Sequence, residues 1–336
     1  MSNQKPKRHH YIPQFILRNF NDEKSQVNYW NIETKTLEKR NTKSVFMNLH
    51  MYRDDSNHPD DPTYIESSLS IFESEISDLI KKFVLESRIE ITRAELEKLR
   101  IFLSLLSFRS DLRMNQYKNN NFDNVTRSTL QNYSNDSFED LWKREIEEIA
   151  KCRTYKQIEE SKIIDPIIKQ DLMNDLTSFY MTVIEARGED FLISDVYPTL
   201  EIFPLEEKVS IHMHCFFPIS STRMLVLNHI MFKNDIPNDP IISPMKSFSQ
   251  IHGNALIPPK NKYVVNGFHN PNDKYIYNVQ KIYSHDIEYI NALFLNEAHI
   301  GFVFKNPCKI KSSVKAFNKR AYTKQKHEKL EEFLSH

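Results

Sequence analysis

The rhythm of polar and apolar positions changes twice along the chain. The stretch QVNYWNIETKTLEKRN alternates Val27, Tyr29 and then Ile32 with polar residues, which predicts a short β-hairpin. A loop rich in Asp, Asn and Pro follows, through DDSNHPDDP. From Ile65, the residues Leu69, Phe72, Ile76, Leu79 and Phe83 recur at intervals of three and four, the stripe of an amphipathic helix. Thr92 and Glu95 form a capping-box pair ahead of Leu96, Leu99, Leu103 and Leu106, predicting a helix that runs to about Met114. The Asn-rich NQYKNNNFDN has little to bury and reads as a mobile connection. Ser137 with Asp140 opens a further helix carrying Trp142 and Ile146. Asp165-Pro166 supplies an N-cap and a first-turn proline for another, expected to end at Gly188 in a left-handed C-cap.

Past Gly188 the pattern becomes short β-type runs, FLISD, VSIHMHCFFPIS, TRMLVLNHIMF, NKYVVNGF and GFVF, separated by proline-containing turns. One helix interrupts them, from Ser284 to about Ala298. The fold class is therefore α+β, with a mostly helical middle and a β-rich C-terminal half. A single domain is expected over 1–304, its helical part about 65–188 and its β-rich part about 189–304, followed by a basic tail or helix over 305–336.

Composition narrows the chemistry. The chain has 336 residues, enough for a substantial core, and 45 Lys+Arg balance 45 Asp+Glu, so no global field draws it onto nucleic acid. Local basic groups remain: Lys5, Lys7 and Arg8 at the start, and Lys309, Lys311, Lys315, Lys319, Arg320, Lys324 and Lys326 near the end, the latter read as a solvated, frayed terminus. Only 4 glycines occur, none closer than 14 positions to another, so no P-loop, GxGxxG turn or GxSxG elbow is present and no Rossmann or P-loop core is expected. The 3 separated cysteines offer neither a disulfide framework nor a CxxC motif and point to a reducing cytoplasm. No apolar run reaches the roughly 20 residues that span a bilayer, so no membrane partner is expected.

The segment KPKRHHYIPQFILRNF is the most unusual in the chain. Adjacent histidines diverge in any regular element, but Pro13 forces Ile12 to be extended, and a bend there could let His9 or His10 act as a proton carrier or ligand, with Gln14 and Arg18 as polar partners. Packing is the alternative: His10, Tyr11 and Phe15 buried, His9 on the surface. Tyr11, Ile12, Phe15, Leu17 and Phe20 carry too much apolar area for a free tail, and the segment is expected to dock on the β-rich half.

Asp195 ends a short apolar strand before a proline turn, where a carboxylate can face a cleft or simply cap the turn. With His9 and His10 it offers a site for hydrolysis or for a divalent metal, though nothing in the sequence fixes a metal. Arg109 and Arg113, four apart at the end of a predicted helix, share a face and suit a phosphate clamp. Lys7, Arg8 and Arg18 extend the basic surface. Weaker signals are the His212/His214 pair on one strand face, the Asp22 and Glu33-x-Lys35 imitation of a nuclease pattern, and Glu66 with Glu73 on a solvated helix face.

RHHYIPQFILRNF resembles the N-terminal signature of domain-of-unknown-function family 4238, a mostly bacterial group, and FLISDVYP, FPISSTRMLVL and the Asn-bearing helix near INALFLNEA follow the family's order. The resemblance spans roughly Arg8 to Phe304. Ile16 replaces the usual tyrosine, and SDVYP lacks the asparagine usual beside the aspartate. The family carries no settled activity, and its bacterial character is compatible with a phage-defence effector or toxin. Two functions follow from the residues: a nuclease-like or nucleotide-directed hydrolase using His10, His9, Asp195 and Gln14, or a non-catalytic binding or sensor module for a protein or nucleic-acid partner.

Overall fold

The computed structural model describes residues 8–133, 137–202, 211–229, 256–257, 274–321 and 323–335. In chain order, β1 (Arg8–His10) and the one-turn α1 (Gln14–Leu17) precede the hairpin of β2 (Val27–Asn31) and β3 (Thr36–Arg40), then β4 (Met47–Leu49). Helix α2 (Tyr64–Leu85), strand β5 (Arg88–Thr92) and helices α3 (Arg93–Phe108), α4 (Asp111–Lys118) and α5 (Asn124–Tyr133) follow. Next come α6 (Phe138–Lys151), α7 (Tyr155–Glu160) and α8 (Pro166–Thr177). The strands β6 (Phe179–Ala186), β7 (Ile193–Ser194), β8 (Thr199–Ile202), β9 (Ile211–Pro218), β10 (Arg223–His229), β11 (Leu256–Ile257), β12 (Lys274–Asn278) and β13 (Gln280–Ile282) lead to α9 (Ser284–Glu297). The described chain closes with β14 (Gly301–Phe304), α10 (Pro307–Asn318) and α11 (Glu328–Phe333).

The chain forms two compact units. One combines the residues up to Pro13 with Phe46–Leu79 and Ala94–Thr177; the other combines Gln14–Val45, Ile80–Arg93 and the chain from Ser178 onward.

The first unit is helical apart from the antiparallel β1–β4 pair, in which His9 faces Asn48 and His10 faces Met47. Its core takes the predicted apolar stripes: Leu69, Phe72 and Ile76 of α2 and Leu99, Phe102 and Leu106 of α3 are buried, and Phe72 meets Phe102 edge-on at 5.7 Å. Each such side chain contributes about 1.5–3 kcal/mol on leaving water. Ser137 caps α6 as its sequence position suggests, accepting the Asp140 N–H. The expected helix to Met114 stops instead at Phe108, because the Ser110 hydroxyl accepts the Arg113 N–H and starts α4 afresh.

The Asn-rich stretch is not a bare connection. Asn120 turns the chain at φ 52, and Tyr117 and Phe122 join a run of aromatic contacts from Phe108 to Phe138.

The second unit holds a five-stranded sheet, β13-β6-β10-β9-β8, antiparallel except for the β13–β6 edge. It also holds an antiparallel four-stranded sheet, β3-β2-β14-β7, and a three-stranded sheet, β11-β12-β5. The helix expected to reach Gly188 ends at Thr177. From Phe179 the run FYMTVIEA is rich in aromatic and β-branched residues and is buried on both faces, so it forms β6; Gly188 has the expected positive φ, 95°, but in the turn after a strand. The C-terminal basic run is not frayed: Ile310, Val314 and Phe317 of α10, with Leu330, pack into one core cluster with Phe294, Phe302 and Phe304. Lys309, Lys311 and Lys315 occupy the exposed face of α10, whose inner face is apolar.

Candidate functional site

The opening motif divides at Pro13. Tyr11 and Ile12 are buried in the first unit, while Leu17 and Phe20 are buried in the second, where the Asn19 amide donates to the Ile219 carbonyl at 2.8 Å. Docking on the β-rich part therefore holds for the half after Pro13.

His9 is fully buried, not on the surface. Its Nδ1 accepts the Tyr52 N–H at 2.9 Å and its ring stacks on Tyr52 with an interplanar angle of 4°. An Nδ1 that accepts a backbone amide has no proton, so the neutral ring carries its hydrogen on Nε2. Of His10, the main chain carries the clearest contact. Arg109 Nη2 donates to the His10 carbonyl at 2.6 Å, and Arg109 Nε donates to the Tyr11 carbonyl at 3.2 Å. The same Nη2 lies 2.7 Å from Glu73 Oε1.

Arg109 sits where α3 stops, and the carbonyls left open there find side-chain donors. The Tyr52 hydroxyl donates to the Arg109 carbonyl at 3.0 Å and Trp142 Nε1 to the Phe108 carbonyl at 3.1 Å. Burial works against the Arg109 charge, yet Glu73, Tyr52 and Glu66 outweigh it and hold the guanidinium protonated. Glu66, expected on a solvated face, is half-buried, and burial pushes its carboxyl up to about 7 against the pull of Arg109. Arg109 is thus a structural clamp rather than half of a phosphate clamp, and the helix break turns Arg113 onto a different element.

Asp195 belongs to the second unit. Its Oδ1 accepts the N–H groups of His299 at 3.1 Å and Gly301 at 3.3 Å, and its own N–H donates to the Gly301 carbonyl at 3.3 Å. Burial raises its pKa while these backbone donors oppose the rise. The carboxylate ties β7 to the entry of β14. Among the described residues no group of three or more His, Cys, Asp or Glu side chains is placed to hold a metal ion. With the His9 Nδ1 and the Asp195 oxygens already engaged by backbone amides, these residues do not fit a divalent cation.

The remaining expected residues are scattered. Arg8 and Arg18 are exposed, Gln14 is half-buried on α1, and Lys7 lies outside the described residues. His214 is buried beside Phe216, while the His212 side chain lies outside the description. Asp22 accepts the Lys24 and Gln26 N–H groups and pairs with Lys39 at 2.6 Å, the work of a turn residue.

Arg113 leads elsewhere. It borders a cleft of about 280 Å³ within the first unit, walled by α3, α4, α5, α6 and α8. Phe108, Tyr117 and Phe122 supply aromatic surface, and Leu130, Ile149 and Leu172 apolar surface. Ser104, Ser107, Gln116, Thr126, Asp123 and Asp171 supply polar groups. Local chemistry builds each wall. Ser110 sets the start of α4, one helical turn carries the Arg113 Nη1 to within 2.7 Å of Gln116 Oε1, and Asp123 caps α5 through the Thr126 N–H at 3.0 Å. The motif strand reaches the same wall: Asn48, paired with His9, donates to the Asp111 carboxylate two residues before Arg113.

Behind Tyr117 lies Glu145, which is fully buried. Burial pushes its carboxyl up to about 8, partly offset by the Asp165 N–H at 3.0 Å. Burial, then Glu145, holds the Tyr117 hydroxyl far above its ordinary range, so it remains a donor. Sequence reading missed the cleft because two of its aromatics sit in the asparagine run. The sequence signal was the spacing of Phe108, Tyr117, Phe122 and Phe138 across it.

Fold and site together define a mixed α/β protein with a small-molecule-sized cleft in its helical unit. Residues 8–309 match the family model described as a protein of unknown function, DUF4238, and the chain belongs to that family. No curated protein and no solved structure matches it. Among the described residues, no helix is long and apolar enough to cross a membrane.

Proposed function

We propose that the first unit is a binding or sensor module for a small nucleotide-type ligand, with the Arg113 cleft as its site. One observation carries this reading: a guanidinium, three aromatic rings and two carboxylates border a single cleft of about 280 Å³. Ligand sites combine a mostly apolar lining with a few convergent polar groups, and this volume is near the lower end of their range. A nucleoside monophosphate matches the lining part by part. Its base suits the aromatic and aliphatic walls, its phosphate the planar fork of Arg113, and its sugar hydroxyls the oxygens of Asp123 or Asp171. The opening motif serves this site from a distance, by holding the α3–α4 break from which Arg113 projects.

Calorimetric titration of the full chain with the four common ribonucleoside monophosphates tests the reading. Saturable binding of at least one, weakened about tenfold or more by Arg113→Ala, is the expected result. No heat with any of the four at millimolar concentration sinks it. Product formation in the same samples restores the hydrolase alternative.

A further inference from the structure

We propose that the second unit carries a separate site for a small organic oxyanion, between the turn of the β2–β3 hairpin and the segment Gln325–Lys329. A cleft of about 270 Å³ opens there, bordered by Trp30, Ile32 and Lys35 on one side and by Gln325 to Lys329 on the other.

Its base is fixed. Trp30 is 1% exposed. His327 is buried, with Nε2 3.0 Å from the Leu295 carbonyl and its ring stacked on Phe317. The Gln325 amide donates to the Ala298 carbonyl at 3.0 Å.

Two independent features of the residues that line this cleft call for an anion. The Trp30 indole N–H is buried and has no acceptor among the described residues. Indole is a donor only, and buried donors are nearly always paired, so the missing partner is an acceptor. Around the rim, Lys35, Lys326 and Lys329 are exposed, and none of them enters an ion pair among the described residues. Glu328 is the single carboxylate on the lining. Three ammonium groups and one indole donor over an apolar base suit a carboxylate or phosphate borne on a flat apolar body. The body covers Trp30 and Ile32, and the oxyanion takes the indole hydrogen and the lysine charges.

The chain has 2 tryptophans, Trp30 and Trp142, which makes the test direct. Full-length protein labelled with ¹⁵N only at tryptophan gives two indole resonances, and Trp142→Phe or Trp30→Phe assigns them. Benzoate and phenyl phosphate are titrated separately to about 10 mM. The expected result is a saturable downfield shift of the Trp30 indole with at least one probe and none at Trp142; which probe acts distinguishes carboxylate from phosphate recognition. The exposed double variant Lys35→Ala/Lys329→Ala weakens that binding about tenfold. An unmoved Trp30 resonance with both probes overturns the proposal, as does unchanged affinity in the lysine variant. Because the site lies in the other unit, either outcome leaves the Arg113 cleft to be judged by its own titration.

Discussion

The Arg109 guanidinium grips the main-chain carbonyl of His10 at 2.6 Å across 99 residues of sequence. A fork-shaped cation reaches the carbonyls of His10 and Tyr11 and the Glu73 carboxylate together, which a lysine ammonium does not reproduce. Arg109→Ala leaves Glu73 and two carbonyls without their donor, and is expected to cost about 3–5 kcal/mol in denaturant unfolding. Arg109→Lys recovers only part of that loss. An Arg109→Ala protein as stable as the parent would contradict the clamp.

The two histidines differ in what their removal does. His9→Ala strands the buried Tyr52 N–H and removes a stacked ring, so a loss of about 1–3 kcal/mol is expected. His10 serves the clamp through its carbonyl, which His10→Ala retains, so this variant is expected to lose less. Thermal midpoints of the two variants, measured side by side, check the order.

Gly301 tests the Asp195 corner. A Cβ there would stand 2.4 Å from the Trp30 carbonyl oxygen and 2.6 Å from the Tyr29 hydroxyl oxygen. The backbone contact has little room to yield, so Gly301→Ala is expected to destabilise by at least about 2 kcal/mol. Asp195→Asn swaps one acceptor oxygen for a donor facing the amides of His299 and Gly301, and is expected to cost about 1–3 kcal/mol. A midpoint unchanged in both variants would remove the structural role assigned to Asp195.

Glu145 sets a pH dependence. Its carboxyl ionises near 4.5 when unfolded and near about 8 when folded, so between those values the folded protein binds the extra proton. Its contribution is fully present below pH 4.5 and is lost as pH rises through about 8. Glu145→Gln is expected to remove a slope of up to about 1.4 kcal/mol per pH unit across that window and to be relatively more stable at pH 8. Glu66 titrates in the same sense and leaves a residual slope. Parallel pH profiles for parent and variant would show that Glu145 ionises normally.

Local signals in the sequence located what local physics decides. The stripe from Ile65 marks α2 and the Ser137 cap marks α6, because period and capping act within a few residues. The end of α3 was not legible: Ser110 competes with a helical pattern that continues past it, and the tertiary donors Tyr52 and Trp142 settle the break. Nor was β6, whose first residues follow Thr177 without a turn signal and become a strand by pairing with β10. His9, His10 and Asp195 stood out as titratable residues in an unusual context, but their context was backbone donors and acceptors from distant segments. Arg113 was legible as a phosphate-binding candidate. Its aromatic neighbours were hidden in a polar run.

The most direct measurement is the thermal midpoint of the full chain and of Arg113→Ala, with and without the nucleoside monophosphate that binds best. Arg113 is exposed, so the variant is expected to melt with the parent when no ligand is present. At about 100 times the parent's dissociation constant, the ligand is expected to stabilise the parent by about 2.7 kcal/mol and the variant, whose affinity is at least about tenfold weaker, by about 1.4 kcal/mol or less. Equal stabilisation of both proteins, or of neither, would contradict a nucleotide site built on Arg113.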